Sequence, residues 1–358
     1  MTSEQEIYTK EAIELLKLLI KTESFSKNEG DVASIMTGYL ESYQLQVNRQ
    51  GHNIWCWAKT KDDSKPTILL NSHLDTVKPS SKWTYDPFNA TVEDDKLTGL
   101  GSNDAGGPLV ALMASFLYLK DQDLPYNLVF AATAEEENSG SNGVASILPH
   151  LGTIDLGIVG EPTCMQMAVA EKGLMVLDCE AHGKTGHAAR EEGDNALYKA
   201  IKDIEWFRTH QFEEVSPHLG AVKMSVTQVK AGSQHNVVPD TCQFVVDVRL
   251  NECYSNKTLH QIIEKQVSCD VKPRSFRLNS SFISVDHPIV KRGIELGLST
   301  YGSPTTSDQA VMDFTTLKIG PGDSARSHTP DEYIYLSEIE HGIDTYIRLL
   351  NALVLQTK

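Results

Sequence analysis

Two uninterrupted apolar runs limit the folds open to this chain. Ile68–Leu70 and Leu128–Ala132 each lie within a short strand-like segment. Runs of this length are typical of strands that are covered on both faces of a sheet. Patterns with helical spacing of apolar residues alternate with them, at 11–20, 31–40 and 106–120. Strands that alternate with helices predict an α/β layer architecture around a largely buried sheet.

The middle third of the sequence has a different order of elements. Helical patterns lie at 195–210 and 257–266, among strand-like runs at 174–181, 222–229, 242–249 and 275–279. This β-α-β-β-α-β order is that of a ferredoxin-like split βαβ module, which is an α+β fold. The 358 residues of the chain also exceed what one hydrophobic core usually organises. We therefore predict two domains, one formed by 1–172 with 281–358 and an inserted one over 173–280.

Composition and charge exclude several classes of protein. Hydrophobic residues make up 40% of the chain and charged residues 22%, which excludes disordered, collagen-like and coiled-coil proteins. The formal net charge of −16 argues against nucleic-acid binding. No apolar run approaches the roughly 20 residues of a membrane-spanning helix, and the acidic start of the chain does not resemble a secretion signal. We expect a cytoplasmic protein with neither a membrane nor a nucleic-acid partner.

The cysteines restrict the metal chemistry. There are six, scattered and without a CxxC pair, so we expect neither a disulfide framework nor a cysteine zinc site. Any bound metal should therefore be held by His, Asp and Glu. His73 and Asp75 form a His-x-Asp pair at the exit of an apolar strand, where both side chains point the same way. Ligands gather at such edges of open α/β sheets. We interpret His73 as a metal ligand and Asp75 as the carboxylate that fixes its tautomer; the alternative is a strand-end histidine and a turn aspartate.

Two further segments place carboxylates beside regular elements. Asp104 lies in a glycine-rich turn, at the position of the third glycine of a dinucleotide-binding loop, where it would repel a pyrophosphate. It could face a cation or cap the following helix. Glu135, Glu136 and Glu137 follow the second apolar strand directly. Three adjacent carboxylates repel one another unless a cation or a proton lies among them; the alternative is a solvated acidic loop.

Glu161 and His328 each lie close to a proline, hence on a stiff backbone. With the preceding segments they complete a set of two histidines and several carboxylates at strand ends and stiff turns. Such a set predicts a site for two divalent metal ions, for which Zn²⁺ is the default.

Seven motifs, in order along nearly the whole chain, resemble the co-catalytic dizinc aminoacylase and deacylase family, which includes acetylornithine deacetylase, succinyl-diaminopimelate desuccinylase, aminoacylases and glutamate carboxypeptidases. The motifs are Ser72-His-Leu-Asp-Thr, Gly101-Ser-Asn-Asp-Ala-Gly-Gly, Thr133-Ala-Glu-Glu-Glu, Gly160-Glu-Pro-Thr, Gly183-Lys-Thr-Gly-His-Ala-Ala, Asn236-Val-Val-Pro-Asp, and Gly320-Pro-Gly with His328. The resemblance implies a zinc-peptidase-like, three-layer catalytic domain with a mixed sheet and an inserted lid or dimerisation domain.

The resemblance also implies how two Zn²⁺ ions per chain would be bound. His73 and Glu161 would hold one ion, Glu137 and His328 the other, and Asp104 would bridge them. Co²⁺ or Mn²⁺ are the expected substitutes for zinc.

The implied catalytic residues include Asp75, which would support His73, and Glu136 as the general base. The family pattern is Asp-Glu-Glu, with the base second and the ligand third, and Glu135 occupies the first position here. A slip of one residue would instead make Glu135 the base and Glu136 the ligand.

The inserted domain would complete the site. His187 matches the family histidine that stabilises the oxyanion, which implies that domain closure or a partner subunit brings it to the metals. Arg249 is the candidate for binding a substrate carboxylate, together with Asn236 and Gly322. Without the family, His187 reads as an ordinary loop histidine and Arg249 as half of a cross-strand salt bridge.

The Gly-Glu-Pro-Thr motif and the compact length most resemble the acetylornithine deacetylase and succinyl-diaminopimelate desuccinylase branch. We expect a zinc-dependent amidohydrolase that removes acetyl or succinyl from an N-acyl amino acid such as N-acylornithine or N-acylcitrulline, in arginine biosynthesis. The alternatives are a dipeptidase or exopeptidase, a succinyl-diaminopimelate desuccinylase, and a metal-free scaffold protein of the same fold. The sheet edge of the inserted domain could pair with a second copy in a homodimer, although nothing in the sequence requires it.

Overall fold

The computed structural model describes residues 2–351 and 353–355, and they divide into two compact units. The first comprises the described residues up to Val169, Ile283–Tyr301 and those from Ser307 onward; the second comprises Ala170–Phe282 and Gly302–Thr306. The predicted insertion, 173–280, lies inside the second unit. The segment 302–306, which we predicted to be catalytic, joins the second unit as well, because its main chain and a threonine hydroxyl hydrogen-bond the main chain of Lys172.

The helices, in chain order, are α1 (Ser3–Ile20), α2 (Gly30–Ser42), α3 (Gly107–Leu119), α4 (Val144–Leu151), α5 (Ala196–Thr209), α6 (Asn256–Glu264), α7 (Pro288–Glu295) and α8 (Leu336–Leu350). The strands are β1 (Val47–Gln50), β2 (Asn53–Trp57), β3 (Thr67–His73), β4 (Thr91–Glu93), β5 (Lys96–Thr98), β6 (Asn127–Thr133), β7 (Leu156–Val159), β8 (Met167–Glu171), β9 (Gly173–His182), β10 (Gly186–His187), β11 (Lys223–Ala231), β12 (Val237–Val238), β13 (Thr241–Leu250), β14 (Asp270–Pro273), β15 (Ser281–Phe282), β16 (Thr300–Ser303), β17 (Thr316–Lys318) and β18 (Tyr333–Tyr335). Among the described residues, no helix combines the length and apolarity needed to span a bilayer.

The large sheet of the first unit runs in the order β1-β2-β6-β3-β7-β17-β8. It is mixed: β3 is parallel to β6 and β7, while β2 is antiparallel to β6 and β8 to β17. All residues of β3 and β6 are buried, as their apolar runs predict. Alternate residues of these strands enter separate apolar clusters on the two faces of the sheet, so the architecture has three layers. Leu70 and Phe130 join the cluster that contains α1, α3 and α8, whereas Leu69 and Val129 pack with α4.

The parallel strands place several chain segments side by side. His73 at the end of β3 is paired with Thr133 at the end of β6, and Asn71 is paired with Val159 at the end of β7. The residues that follow these strands therefore begin at one edge of the sheet, where the sequence predicted the metal ligands.

The second unit contains a ferredoxin-like module. Its sheet has the order β11-β13-β9-β14, with all neighbours antiparallel. Burial alternates along β9 and β13, and the buried side chains of both strands pack in one cluster with α5 and α6. Asn195 caps the N-terminus of α5 and Ser255 that of α6. The βαββαβ order predicted for this part of the chain is present.

One predicted element is wrong. We predicted the last strand of the inserted domain at 275–279, but the strand is Asp270–Pro273, which pairs with β9 at the edge of the sheet. An edge strand tolerates the missing amide of Pro273. The predicted residues are held in another conformation, because Asn256 Nδ2 donates to the carbonyls of Phe276 and Leu278 at 3.3 and 2.8 Å.

Candidate metal centre

Four of the five predicted metal ligands meet at the carboxyl edge of the large sheet. His73 Nε2 lies 3.3 Å from Asp104 Oδ1, and His328 Nε2 lies 3.6 Å from Asp104 Oδ2. His328 Nε2 is also 2.9 Å from Glu137 Oε2. His73, Asp104 and Glu137 each offer one ligand atom, and these three atoms lie within 4.8 Å of one another. The two oxygens of Asp104 face different imidazoles. Asp104 therefore lies where a carboxylate shared by two cations would be expected.

The fifth predicted ligand, Glu161, follows β7 and is half-buried. Its negative charge is among the causes that raise the pKa values of His73 and Glu136. Its role as a ligand stays a prediction.

The hydrogen bonds of His73 test whether these residues suit a metal ion. His73 Nδ1 lies 2.9 Å from the carbonyl oxygen of Asp75. A carbonyl only accepts, so Nδ1 carries a hydrogen and Nε2 is the atom left facing Asp104. The pKa of His73 lies well above its ordinary value: burial lowers it, but the bonds to Asp104 and Asp75 outweigh burial. Positive charge is therefore favoured at Nε2, and imidazole nitrogen with carboxylate oxygen is a donor set that fits zinc.

Asp75 supports His73 differently from the prediction. Its carboxylate oxygen Oδ1 is 3.4 Å from His73 Nδ1, farther than the carbonyl of the same residue. The carboxylate instead accepts hydrogen bonds from the Ser26 hydroxyl at 2.6 Å and from the amides of Glu136 and Glu137 at 3.0 and 3.1 Å. Burial raises the pKa of Asp75, but His73 and these donors bring it below its usual range. Asp75 thus positions both the histidine and the acidic loop.

The three adjacent glutamates have different surroundings. Glu135 has a left-handed backbone, with φ at +57°. Its carboxylate accepts hydrogen bonds from the side-chain and main-chain nitrogens of Asn142 at 3.0 and 3.3 Å, whereas Glu137 faces His328. Burial and the charges of nearby carboxylates raise the pKa of Glu136 well above its ordinary value. These contacts favour Glu136 as the base and Glu137 as the ligand over the register slipped by one residue.

A buried carboxylate that we did not assign from the sequence anchors the loop of Asp104. Glu332 accepts hydrogen bonds from the amides of Gly101, Asn103 and Asp104 at 3.0, 2.9 and 2.8 Å. Burial and the charge of Asp104 raise the pKa of Glu332 to about 8. Because Glu332 follows His328 closely in the chain, it ties the loops of two candidate ligands together. No motif or spacing in the sequence marks Glu332 for this role.

Asp308 is a second buried carboxylate that the sequence analysis missed. It accepts hydrogen bonds from Asn71 Nδ2 at 2.8 Å and Thr133 Oγ1 at 2.9 Å, and so joins β3 to β6 just before His73 and the acidic loop. Burial raises its pKa to about 6. No motif marks this residue.

The Gly320–Gly322 turn packs beside the loop of Asp104. Gly322 has φ at +86°, and a Cβ there would lie 2.4 Å from Asn103 Oδ1, so only glycine fits without a shift. Asn103 also exchanges two hydrogen bonds, both of 3.0 Å, with the main chain of Asp323. Gly322 is thus close to the candidate ligands, and its contact with substrate stays a prediction.

In the second unit, His187 ends β10, which pairs with β12, and Asn236 directly precedes β12. The amide of Ala188 donates to the carbonyl of Asn236 at 2.9 Å. His187 Nδ1 accepts from the amide of Ala189 at 3.1 Å, so the neutral ring carries its hydrogen on Nε2. The side chain is exposed, and Nε2–H is thus a donor of the kind that an oxyanion requires.

Arg249 is already engaged within the second unit. Its guanidinium donates to both carboxylate oxygens of Asp247 at 2.9 and 3.1 Å. The partner is on the same strand rather than across the sheet, as the salt-bridge alternative had assumed. Lys223 is paired with Arg249 in the sheet, and the pKa of Lys172 is lowered by burial and then by the charges of Lys223 and Arg249. Arg249 therefore belongs to a group of three cations, and its predicted role stays untested.

Residues 69–352 match the model of peptidase family M20/M25/M40. The chain belongs to this family. It is a metal-dependent hydrolase acting on linear amide bonds, as the resemblance of its motifs implied.

Similar proteins of the family match this M20 enzyme over nearly its whole length. A succinyl-diaminopimelate desuccinylase of Orientia tsutsugamushi is 24% identical, over 92% of each chain, and one of Coxiella burnetii is 24% identical, over 96% of this chain and 100% of the relative. Among solved structures, aminopeptidase PepT of Bacillus cereus has a TM-score of 0.75 at 20% identity and covers 97% of this chain and 98% of its own. A dinuclear metal-binding M20 peptidase of Bacillus subtilis has a TM-score of 0.74 at 14% identity, over 96% and 98%. The predicted fold class is confirmed.

The register of the three glutamates can be tested by metal analysis. Glu137→Gln should lower the zinc content of the purified protein, because a neutral amide is a poorer ligand than a carboxylate. Glu136→Gln should keep about two zinc ions per chain but lose turnover, because the base is removed. Glu135→Gln is the matched control and should keep both properties. Inductively coupled plasma mass spectrometry gives the metal content, and zinc loss in Glu136→Gln with retention in Glu137→Gln would show that the register is slipped.

Proposed function

We propose that this M20 enzyme hydrolyses the amide bond of an N-acyl amino acid with a pair of Zn²⁺ ions. His73, Asp104, Glu137, Glu161 and His328 would hold the ions. The observation that carries the proposal is the position of the Asp104 carboxylate, whose two oxygens face the imidazoles of His73 and His328 at 3.3 and 3.6 Å. Co²⁺ and Mn²⁺ suit the same donors.

The chain's own residues supply the proton transfers. When bound, the metal pair would polarise the substrate carbonyl and lower the pKa of a shared water. Glu136, held beside the ligands by the bond from its amide to Asp75, accepts the proton of the attacking water and later delivers it to the leaving amine. His187 Nε2–H donates a hydrogen bond to the oxyanion. The oxyanion would form in the site of the same chain or in that of the partner chain in a dimer.

Succinyl is the acyl group that the comparisons favour. Our first expectation was an acyl group removed from ornithine or citrulline in arginine biosynthesis, but the relatives described above are named succinyl-diaminopimelate desuccinylases. Their names support the alternative, which belongs to diaminopimelate and lysine biosynthesis. A succinyl group ends in a carboxylate, which needs a cation to bind it. Arg249, which lies near Lys172 and Lys223 in the second unit, is the residue that we predict to supply that charge, and Asn236 and Gly322 stay predicted substrate residues.

The decisive experiment measures kcat/KM for succinyl and acetyl derivatives of diaminopimelate, ornithine, citrulline and lysine, and for free dipeptides. Succinyl compounds should exceed their acetyl counterparts on the order of 10²-fold, because hydrogen bonds to a charged group contribute about 1.5–3 kcal/mol. A maximum with acetylornithine would restore the arginine-biosynthesis expectation. Faster cleavage of dipeptides would identify a peptidase and contradict the deacylase proposal.

His187→Ala should lower kcat by roughly 10²–10³-fold without loss of zinc, which is the usual effect of removing an oxyanion donor. His182→Ala is the matched control: it removes another exposed histidine of the same unit, one that faces Asp270 at 2.8 Å. An unchanged rate in His187→Ala would exclude this residue from the mechanism.

We also propose that the enzyme is a homodimer through its second unit. β11 is an edge strand of the sheet, and Val229 on it is 52% exposed. The adjacent α5 presents Tyr198 and Ile201, which are 66% and 52% exposed. An exposed edge strand has unpaired main-chain groups that can pair with a second chain. The cytoplasmic location stays a prediction.

Sedimentation equilibrium tests the dimer. The wild-type chain should sediment with twice the mass of the monomer, and Ile201→Asp should shift it to the monomer, because a buried unpaired charge opposes association. Ile7→Asp, which changes an isoleucine of α1 that is 57% exposed, should leave the mass unchanged. A monomeric wild-type protein would refute the proposal.

A further inference from the structure

Four consecutive main-chain amides of the acidic loop, Ala134–Glu137, each donate to a side chain. The first donates to Asn53 Oδ1 at 2.9 Å and the second to Glu29 Oε1 at 3.1 Å. The last two donate to the carboxylate of Asp75 at 3.0 and 3.1 Å. Asp75 belongs to the His-x-Asp motif, but Glu29 and Asn53 belong to no motif and to none of the candidate ligand segments.

Glu29 is fully buried, and its carboxylate is surrounded by polar partners. Oε1 also accepts from the amide of Lys27 at 2.6 Å, and Oε2 lies 2.6 Å from His52 Nδ1. A buried carboxylate is stable only when its oxygens are bonded in this way. His52 and Asn53 are adjacent at the start of β2, so the two bonds to the first half of the acidic loop come from one small cluster: Glu29, His52 and Asn53.

The cluster bonds the loop at a residue with an uncommon backbone conformation. Glu135 has φ at +57°, a left-handed conformation that a residue with a side chain adopts only when its surroundings impose it. Its amide is bonded to Glu29, and its carbonyl accepts from the amide of Gly140 at 2.8 Å. This left-handed residue comes directly before Glu136 and Glu137, so its conformation sets where both carboxylates begin.

We propose that Glu29, held by His52, is a positioning residue: it maintains the left-handed conformation of Glu135 and so places Glu136 and Glu137 for catalysis. The proposal rests on the proposed function, in which Glu136 is the base. Glu29 itself acts through the main chain of the loop. A purely structural role would instead stabilise α2 and β2 without a specific effect on the chemical step.

Two variants of Glu29 distinguish the loss of its hydrogen-bond acceptor from the loss of its negative charge. Glu29→Ala removes the acceptor and should lower kcat about 10–100-fold, because a misplacement near 1 Å can cost on the order of 10²-fold in rate. KM should change little, and kcat is compared at full zinc loading, because a displaced Glu137 would also weaken metal binding. Glu29→Gln keeps an oxygen that accepts from the Glu135 amide, and its amide can donate to the other tautomer of His52, so it should recover most of the lost kcat.

Asp155→Ala is the matched control. Asp155 is also a carboxylate that accepts from a main-chain amide, that of Thr67 at 2.9 Å, but at the start of β3 and thus at the opposite end of the strand from His73. It should leave kcat unchanged even where the melting temperature falls. A similar loss of kcat in Asp155→Ala would show that general destabilisation, and not position, explains the effect of Glu29→Ala.

Amide hydrogen exchange on the zinc-loaded protein tests the same bond without a substrate. Exchange in a peptide spanning the acidic loop should be about tenfold faster in Glu29→Ala than in the wild type, as expected for the loss of one hydrogen bond to a charged acceptor. If the wild type cleaves none of the compounds in the substrate panel, the proposed function fails, while this measurement still decides whether Glu29 holds the loop. Unchanged exchange or unchanged kcat in Glu29→Ala, or equal kcat losses in Ala and Gln variants, would overturn the proposal.

Discussion

Repulsion between carboxylates at one edge of a buried sheet is the constraint on which this structure depends. Burial and neighbouring negative charges raise the pKa values of Glu136 and Glu137. Such a group is stable only if cations or protons lie among its members. Two imidazoles provide part of the positive charge, since both His73 and His328 face the carboxylate of Asp104. A pair of divalent cations would supply further positive charge at this edge.

A second set of carboxylates faces the main chain and not the metal centre. Glu332 accepts from three amides in the loop of Asp104, Asp75 from two in the acidic loop, and Glu29 from the amide of Glu135. The buried oxygens of each of these side chains accept hydrogen bonds from amides of a loop that carries a candidate ligand. The conformations of these loops therefore depend on hydrogen bonds from their amides to side-chain carboxylates. Acidic residues both form the candidate site and position its loops.

The features that the sequence predicted well are those that local patterns encode. The continuous apolar runs of β3 and β6 correctly predicted a sheet covered on both faces, because burial leaves no polar positions along such strands. Parallel strands bring their carboxyl ends to one edge, so His73 and the acidic loop could be expected to meet. The local pattern at 275–279 predicted a strand that is absent, and there the carbonyls of Phe276 and Leu278 accept hydrogen bonds from the side chain of Asn256.

The amino-acid sequence by itself determined the fold class and the family, because periodicity and motifs are local properties of the chain, and it supplied the candidate metal ligands. Only the tertiary structure decided which partner each polar group has: the carbonyl of Asp75 for His73, Asp247 for Arg249, and Asn142 for Glu135. Glu29 and the Glu135 amide are 106 residues apart in sequence and 3.1 Å apart in space. A contact of that kind depends on how the layers pack, and no local pattern records it.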